Sequence, residues 1–431
     1  MSITQSLARF AAETHPDAMP EAAREVMQLS LIDWAACAIA GRQEPVSRIL
    51  RDMVTEEGGA AQATVVGGGK VPARAAALAN GTISHALDYD DTHFAHIGHP
   101  SVAVLSATLA MAEKIGAEGQ AFQSACLIGV EAATRVGVWL GRDHYQGGFH
   151  QTGTAGAFGA ALACARLLGL NVAQCEMVLG LVATRASGLK SQFGTMGKPY
   201  NAGLAAANGV EAADLVARGF VANPQALEAA QGFGPTHMGE NDPLALAGLG
   251  QVWMFEDVSH KFHACCHGLH AALEALADLP SLRPENVTAI EVTTHPRWMT
   301  VCNQPAPMTG LGAKFSYTTV LAMALLGHDT ARLDSYADAV CADPALQALR
   351  QKVRVRADEG VSETATKLRV QTRSGILEGA HDLIAPQDLQ KRKAKVMRKA
   401  DCLLGVERAL QIGELISSYA DAVELGEALR R

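Results

Sequence analysis

The segment "PEAAREVMQLSLIDWAACAIAG", Pro20 to Gly41, constrains the fold of this chain more than any other stretch. Proline is tolerated in the first turn of a helix, an acid follows it, and glycine marks the end. Its second half is apolar almost all round, so the helix it predicts must be covered on every side by other elements. Covering a whole helix takes a large core. A chain of 431 residues that is 48% hydrophobic supplies one, and its length gives two domains as the prior. Forty-one glycines, abundant alanine and only 5% aromatics favour helices that pack at short distance.

Similar stretches follow. Helices are predicted over 72–87, 101–115 (stopped at Gly116), 119–140, 152–168 (Gly169), 172–187, 199–218 (Gly219) and 261–278. A short helix is expected from Asn223-Pro224, a good N-cap and first-turn pair. After Pro284 the pattern changes. "NVTAIEVTTH", "KVRVRAD" and "TKLRVQTRSG" alternate and are β-branched, which predicts strands. Helical stretches lie between them, "AKFSYTTVLAMALLGHD" and "DPALQALRQ". The expected fold class is therefore two-domain: a large all-α domain over 1–280 and 400–431, and a smaller α+β lid domain over 281–399.

Charge and cysteine content exclude several classes. The net charge is −8, so the overall basic footprint of a nucleic-acid binder is absent. An anionic substrate would need a local cluster of Lys, Arg or His working against that field. The basic run "KRKAKVMRK" has no interleaved aromatics and reads as a solvated helix face. Nine cysteines with no CxxC pair give no disulfide framework and point to a reducing compartment. The N-terminal residues lack a charged segment followed by an apolar one, and no apolar run is long enough for a membrane span. A cytoplasmic protein is expected.

Four segments concentrate chemistry. "HALDYDDTHFAHIGHPS", His85 to Ser101, holds three acids and four histidines. Asp88 and Thr92 are four apart and would share one face of a helix. Asp90, Asp91 and Thr92 are also turn and cap formers. Capping does not explain His85, His93, His96 and His99 together, and titratable clusters mark sites. In "GGFHQTGTAGAFGAA", His150 directly precedes a helix start. The positive helix end disfavours imidazolium, so this histidine is expected to be neutral, as a general base must be. A capped glycine loop with a surface histidine reads the segment equally well. In "GLKSQFGTMGKPYNAG", Lys198 beside a helix N-terminus suits a substrate carboxylate, with Lys190 just upstream. A surface lysine in a Gly-rich turn is the alternative. In "HKFHACCHGLH", His263, His267 and His270 fall on one face of a predicted helix and could hold zinc, but no Glu lies within the HxxxH step and no metal is assigned.

Taken in order, these segments resemble the MmgE/PrpD family, which includes 2-methylcitrate dehydratase, cis-aconitate decarboxylase and iminodisuccinate epimerase. The likeness also covers "LIDWAACAIAG", "AKFSYTTVLAMALLGHD" and "LIAPQDLQKRKAKV". The resemblance implies a large α domain with an α+β lid, a homodimer, and catalysis without metal or organic cofactor. It carries catalytic positions to Asp88, Thr92, His99, His150, Lys198 and His267, with His270 as the alternative to His267 under a shifted alignment.

The reactions of such a family share proton handling at a carbon next to a carboxylate. The expected function is a cofactor-independent lyase or isomerase acting on a small di- or tricarboxylate in a cleft between the two domains. Dehydration comes first, narrowly ahead of epimerisation or decarboxylation. His99 and His150 would form the acid–base pair and Lys198 would neutralise a carboxylate. His93, His96, Arg142 and Lys190 are further candidates for substrate binding. The rivals are a metal-dependent hydrolase using His263, His267 and His270, and a non-catalytic binder of small acids.

Overall fold

The computed structural model describes residues 1–431 and divides into two compact units, Met1–His260 with Leu404–Arg431, and Lys261–Leu403. The first unit is built from helices α1 (Ile3–Glu13), α2 (Glu21–Gly41), α3 (Pro45–Glu57), α4 (Ala73–Ser84), α5 (Ser101–Ile115), α6 (Gly119–Gln146), α7 (Gln151–Leu167), α8 (Val172–Ala183) and α9 (Gly197–Ala217). A two-stranded ribbon of β1 (Ala63–Thr64) and β2 (Lys70–Val71) and the short α10 (Phe233–Thr236) complete its N-terminal part.

Helix α7 is the axis of this unit. Every residue from Gln151 to Ala165 is buried, and α5, α6, α8 and α9 all pack on it. Small residues make the approach possible. A Cβ on Gly81 of α4 would lie 2.9 Å from the Cα of Gly203 in α9, so these two backbones touch with nothing between them. Helix α2 is buried nearly all round its second half, as its apolar pattern predicts.

In the second unit, α11 (His270–Ala277) precedes a four-stranded sheet of β3 (Val287–Thr294), β4 (Val353–Ala357), β5 (Ala365–Thr372) and β6 (Gly375–Asp382). The strand order is β4-β3-β5-β6, with β3 and β4 parallel and the other pairs antiparallel. Helices α12 (Arg297–Val301), α13 (Gly310–Ala313), α14 (Tyr317–Leu325), α15 (Asp338–Cys341) and α16 (Pro344–Arg350) connect β3 to β4. Helix α17 (Leu389–Leu404) ends at the division, and α18 (Val406–Ser417) and α19 (Ala422–Arg430) pack back on α2 and α5.

Three expectations are corrected. The division falls at 260/261 and 403/404, not at 280/281 and 399/400, because α11 lies on β5 and β6 of the sheet. The helix expected over 261–278 begins only at His270, so His263, His267 and His270 do not share a helical face. The helix expected from Asn223 is replaced by turns, in which the Asn223 side chain accepts from the Gln225 amide at 3.0 Å.

Candidate active site

The site grows from three helix ends of the first unit. Helix α4 stops at Ser84 with His85 as its C-cap, α7 starts after His150, and α9 starts at Gly197 with Lys198 in its first turn. The chain between α4 and α5 is a loop, not the continued helix that would set Asp88 and Thr92 on one face. Asp88 takes a left-handed backbone (φ 51°), which an aspartate tolerates better than most residues, and Ile97 does so too (φ 56°). Cross-chain pairing holds the loop in this shape: the Thr92 amide donates to the Ser259 carbonyl at 2.9 Å and the Ser259 amide returns to Thr92 at 2.7 Å.

Asp90 sits at the centre of the cluster and is 1% exposed. Its Oδ1 lies 2.9 Å from His85 Nδ1 and its Oδ2 lies 3.0 Å from His99 Nδ1. Burial alone would raise its carboxyl, but the two imidazoles hold it well below the usual carboxylate range. On the far side of His99, Nε2 lies 3.2 Å from Asp88 Oδ1, and Lys198 Nζ lies 2.7 Å from Asp88 Oδ2. Asp88 is the accessible member, with 46% of its side chain exposed, against 1% for Asp90. The positive end of α9 is an unfavourable place for a lysine, and Asp88 offsets it.

His150 is 2% exposed, with its ring 6.1 Å from that of His85 and edge-on to Phe193 at 4.9 Å. Burial, then the neighbouring His85 and Lys198, push its imidazole well below the ordinary histidine value. It is therefore neutral at pH 7, as the helix-start position predicts. Its tautomer is set by Asn201, whose Nδ2 lies 3.2 Å from His150 Nδ1 and 3.3 Å from the Leu189 carbonyl. The nitrogen that donates to a carbonyl must be the amide NH₂, so His150 Nδ1 accepts and the ring proton sits on Nε2. His150 is then a neutral ring with its proton on Nε2.

The other predicted residues lie elsewhere. His93 Nε2 donates to the Met254 carbonyl at 2.8 Å, and His96 Nδ1 to the Ala133 carbonyl at 3.0 Å. His96 is fully buried, and burial pushes its imidazole down to about 3. Both histidines brace the loop, one against the 254–257 turn and the other against α6. Lys190 Nζ donates to the Tyr145 carbonyl at 2.9 Å and lies 3.7 Å over the Tyr145 ring. Arg142 is exposed beside the break in α6 at Gly141 (φ 72°). The Thr92 amide is paired with Ser259, and its hydroxyl lies 3.5 Å from the same carbonyl. His267 belongs to the second unit, its ring 5.0 Å from that of His270.

Sequence reasoning counted His85 in the cluster without giving it a role, read Asp90 as a turn former and passed over Asn201. No local spacing rule connects a helix-terminal histidine to an aspartate five residues on. Asp91, the other presumed turn former, accepts from Ser30 and Ser101 at 2.7 and 2.6 Å and ties the loop to α2 and α5.

Ligand atoms of His85, Asp88, Asp90 and His99 lie within 4.8 Å of one another, close enough to surround a cation. The Lys198 ammonium stands 2.7 Å from one of those carboxylates and would oppose it. We therefore read the four as a hydrogen-bonded proton network.

Models of the MmgE/PrpD N-terminal and C-terminal domains match residues 5–245 and 263–380. The chain belongs to the MmgE/PrpD family. A cis-aconitate decarboxylase of Aspergillus terreus is 29% identical over 354 residues, covering 75% of this chain and 72% of the relative. The Homo sapiens cis-aconitate decarboxylase is 27% identical over 271 residues, covering 60% of this chain and 56% of the relative. No helix of this family member is long and apolar enough to cross a membrane.

Proposed function

We propose that the protein is a lyase acting on a small di- or tricarboxylate by proton transfer at a carbon next to a carboxylate, using its own side chains as acid and base. The carrying observation is the shared position of Asp88. Lys198 and His99 both engage this half-exposed carboxylate, above a layer of buried histidines. An incoming substrate carboxylate competes with Asp88 for the same two donors, which a charge-assisted pair binds well. Substrate charge is then held at the edge of a desolvated region where fixed donors act strongly.

The names of the relatives move decarboxylation of cis-aconitate, or a close analogue, ahead of dehydration as the reaction to test first. In that reaction the bond to one carboxyl carbon breaks and carbon dioxide leaves. The electron pair spreads through the adjacent double bond toward a remaining carboxylate. A proton from the site then completes the new C–H bond. His99, flanked by two carboxylates, is suited to hold that proton, and Lys198 is suited to stabilise the charge as it builds. We also propose that the protein is a homodimer, which light scattering on the eluted protein tests.

The functional test is incubation of the purified protein in heavy water with cis-aconitate, citrate-like acids and substituted succinates, followed by NMR. Loss of carbon dioxide with deuterium at the protonated carbon is expected. Loss of water would assign dehydration instead, and exchange with inversion would assign epimerisation. Lys198→Met should lower turnover about 10²–10³-fold, the worth of one charge-stabilising donor. No change in any acid, or activity abolished by chelator and restored by a divalent metal, would overturn the proposal.

A further inference from the structure

The tautomers of the three site histidines follow from the partners and the burial of their ring nitrogens, and they place the proton acceptor where neither the sequence nor the family likeness points. Asp90 is buried and ionised, and an ionised carboxylate only accepts. His85 Nδ1 lies 2.9 and 3.1 Å from its two oxygens, and His99 Nδ1 lies 3.0 Å from Oδ2. The His85 ring therefore carries a proton on Nδ1. His99 Nδ1 stands 3.0 Å from the carboxylate without hydrogen-bond alignment, and a bare lone pair at that distance from an ionised oxygen would be repelled, which favours a proton there too. Their Nε2 atoms meet different surroundings. His99 Nε2 faces Asp88 Oδ1 at 3.2 Å, and the nearby Lys198 ammonium keeps Asp88 ionised, so His99 carries a second proton there. His85 Nε2 is buried and makes no hydrogen bond. Burial, opposed by Asp90 and aided by His99, pushes its imidazole below the ordinary histidine value, which leaves this ring neutral with a bare lone pair on Nε2. His150, held by Asn201, carries its proton on Nε2.

We propose that Asp90 is the positioning residue of this site, fixing His99 as the doubly protonated donor and His85 as the neutral acceptor through Nε2, so that His85, and not His150, is the base. One carboxylate thereby turns two like side chains into an acid and a base 4.5 Å apart, ring to ring. In a dehydration or epimerisation, a proton abstracted from substrate would come to His85 Nε2. His85 would then become imidazolium, stabilised by the Asp90 carboxylate already on its Nδ1, and His99 would return a proton from its own Nε2. Proton count is conserved over a dehydration or an epimerisation; in a decarboxylation no proton is abstracted, and the one that His99 donates to carbon is replaced from solvent. Asp90 touches only the two rings and acts through them.

This inference rests on the acid–base reading of the site, but its first test needs no substrate. The full-length protein labelled with ¹⁵N-histidine gives ring tautomers from long-range ¹H–¹⁵N correlation spectra at pH 7. Three patterns are expected: His85 protonated on Nδ1 only, His99 protonated on both nitrogens, and His150 protonated on Nε2 only. In Asp90→Asn, His99 is expected to lose its second proton and His85 to lose its single fixed tautomer. His85 found with its proton on Nε2 in the wild-type protein would overturn the proposal, and so would Asp90→Asn spectra unchanged from wild type. The wild-type spectra decide even if the variant does not fold.

With a substrate in hand, Asp90→Asn and His85→Gln should each lower kcat about 10²–10⁴-fold, the contribution of a positioned acid or base, with KM changed less than about threefold. A merely structural role would change KM and thermal stability together. Tautomers as expected with no turnover of any carboxylate would count against the proposed function and leave the assignment of Asp90 standing.

Discussion

The two units each bring three histidines together, and the contrast shows what makes such a cluster chemical. In the first, Asp90 and Asp88 engage His85 and His99 while Asn201 engages His150, so the ring nitrogens meet different partners beside a half-exposed Asp88–Lys198 pair. In the second, His263 and His267 each lie 5.0 Å from the His270 ring, a similar density. There His263 Nδ1 lies 2.7 Å from Thr330 Oγ1 and its Nε2 3.3 Å from Glu274 Oε1, while Lys395 also pairs with Glu274. His270 is buried, its Nε2 directed at the Cys265 carbonyl at 3.4 Å. His263 and His270 are thus held by the chain around them. Counting titratable residues does not separate the two, whereas asking where each nitrogen points does.

Four substitutions would break or sharpen that contrast. The largest effect belongs to His99→Gln, which keeps a polar side chain but removes the doubly protonated ring. Turnover of the substrate found by NMR should fall about 10²–10⁴-fold with little change in Tm, and a loss under tenfold would remove His99 from the reaction.

Glu274→Gln should act on stability instead. Burial opposes ionisation of Glu274, but His263 and Lys395 outweigh it and hold the carboxyl at about 2 against an ordinary 4.5. A depressed folded value means the stabilisation is complete above about pH 4.5 and is lost as pH falls toward 2. The pair of clusters therefore predicts up to about 3 kcal/mol at pH 7. Denaturant unfolding of wild type and variant checks it: the gap must shrink between pH 7 and pH 3, and a pH-independent gap would show that the ion pairs do not cause it.

Gly137→Ala probes the bracing of the first cluster. Its Cβ would lie 2.2 Å from His96 Nδ1, so the 85–100 loop must shift. A cost of about 1–3 kcal/mol is expected from overpacking, read as a lower Tm. A neutral result would mean the loop is free to move. The smallest effect is Arg142→Ala, an exposed site outside the cluster. Stability should change within about 0.5 kcal/mol, and turnover should stay near wild type. A large loss of turnover would return Arg142 to the substrate contacts.

Much of the helical frame was legible because its signals are local. Helix α5 runs over Ser101–Ile115 as predicted, stopped by Gly116 in a left-handed C-cap, and α7 and α9 start within two residues of their expected positions. Strands β3, β4 and β5 follow their alternation. Strand β6, "GILEGAHD", escaped because two glycines and an exposed register blur its pattern. The site was legible in its members and not in its wiring. His99, His150, Lys198 and Asp88 meet as expected, yet the shape of the loop comes from pairing with Ser259, 167 residues away from Thr92. The same distance problem hid Asn201, which is 51 residues from the ring whose tautomer it sets. The helix expected over 261–278 failed for a related reason: the Ala264 and Cys266 amides donate to the Thr330 and Lys314 carbonyls instead of to a preceding turn.

The contact of Gly81 with Gly203 bears on how this protein could be altered. A Cβ on Gly203 would stand 2.3 Å from the Leu78 carbonyl and 2.2 Å from Thr82 Oγ1, so neither helix can accept even a methyl group at the crossing. One of those helices ends at His85 and the other begins at Lys198. The seam thus works as a ruler: it sets the span between the ring beside Asp90 and the ammonium at Asp88. Attempts to widen the range of acids accepted should leave this crossing intact and vary the half-exposed rim around Asp88. Lengthening the ruler would move His85 and Lys198 apart.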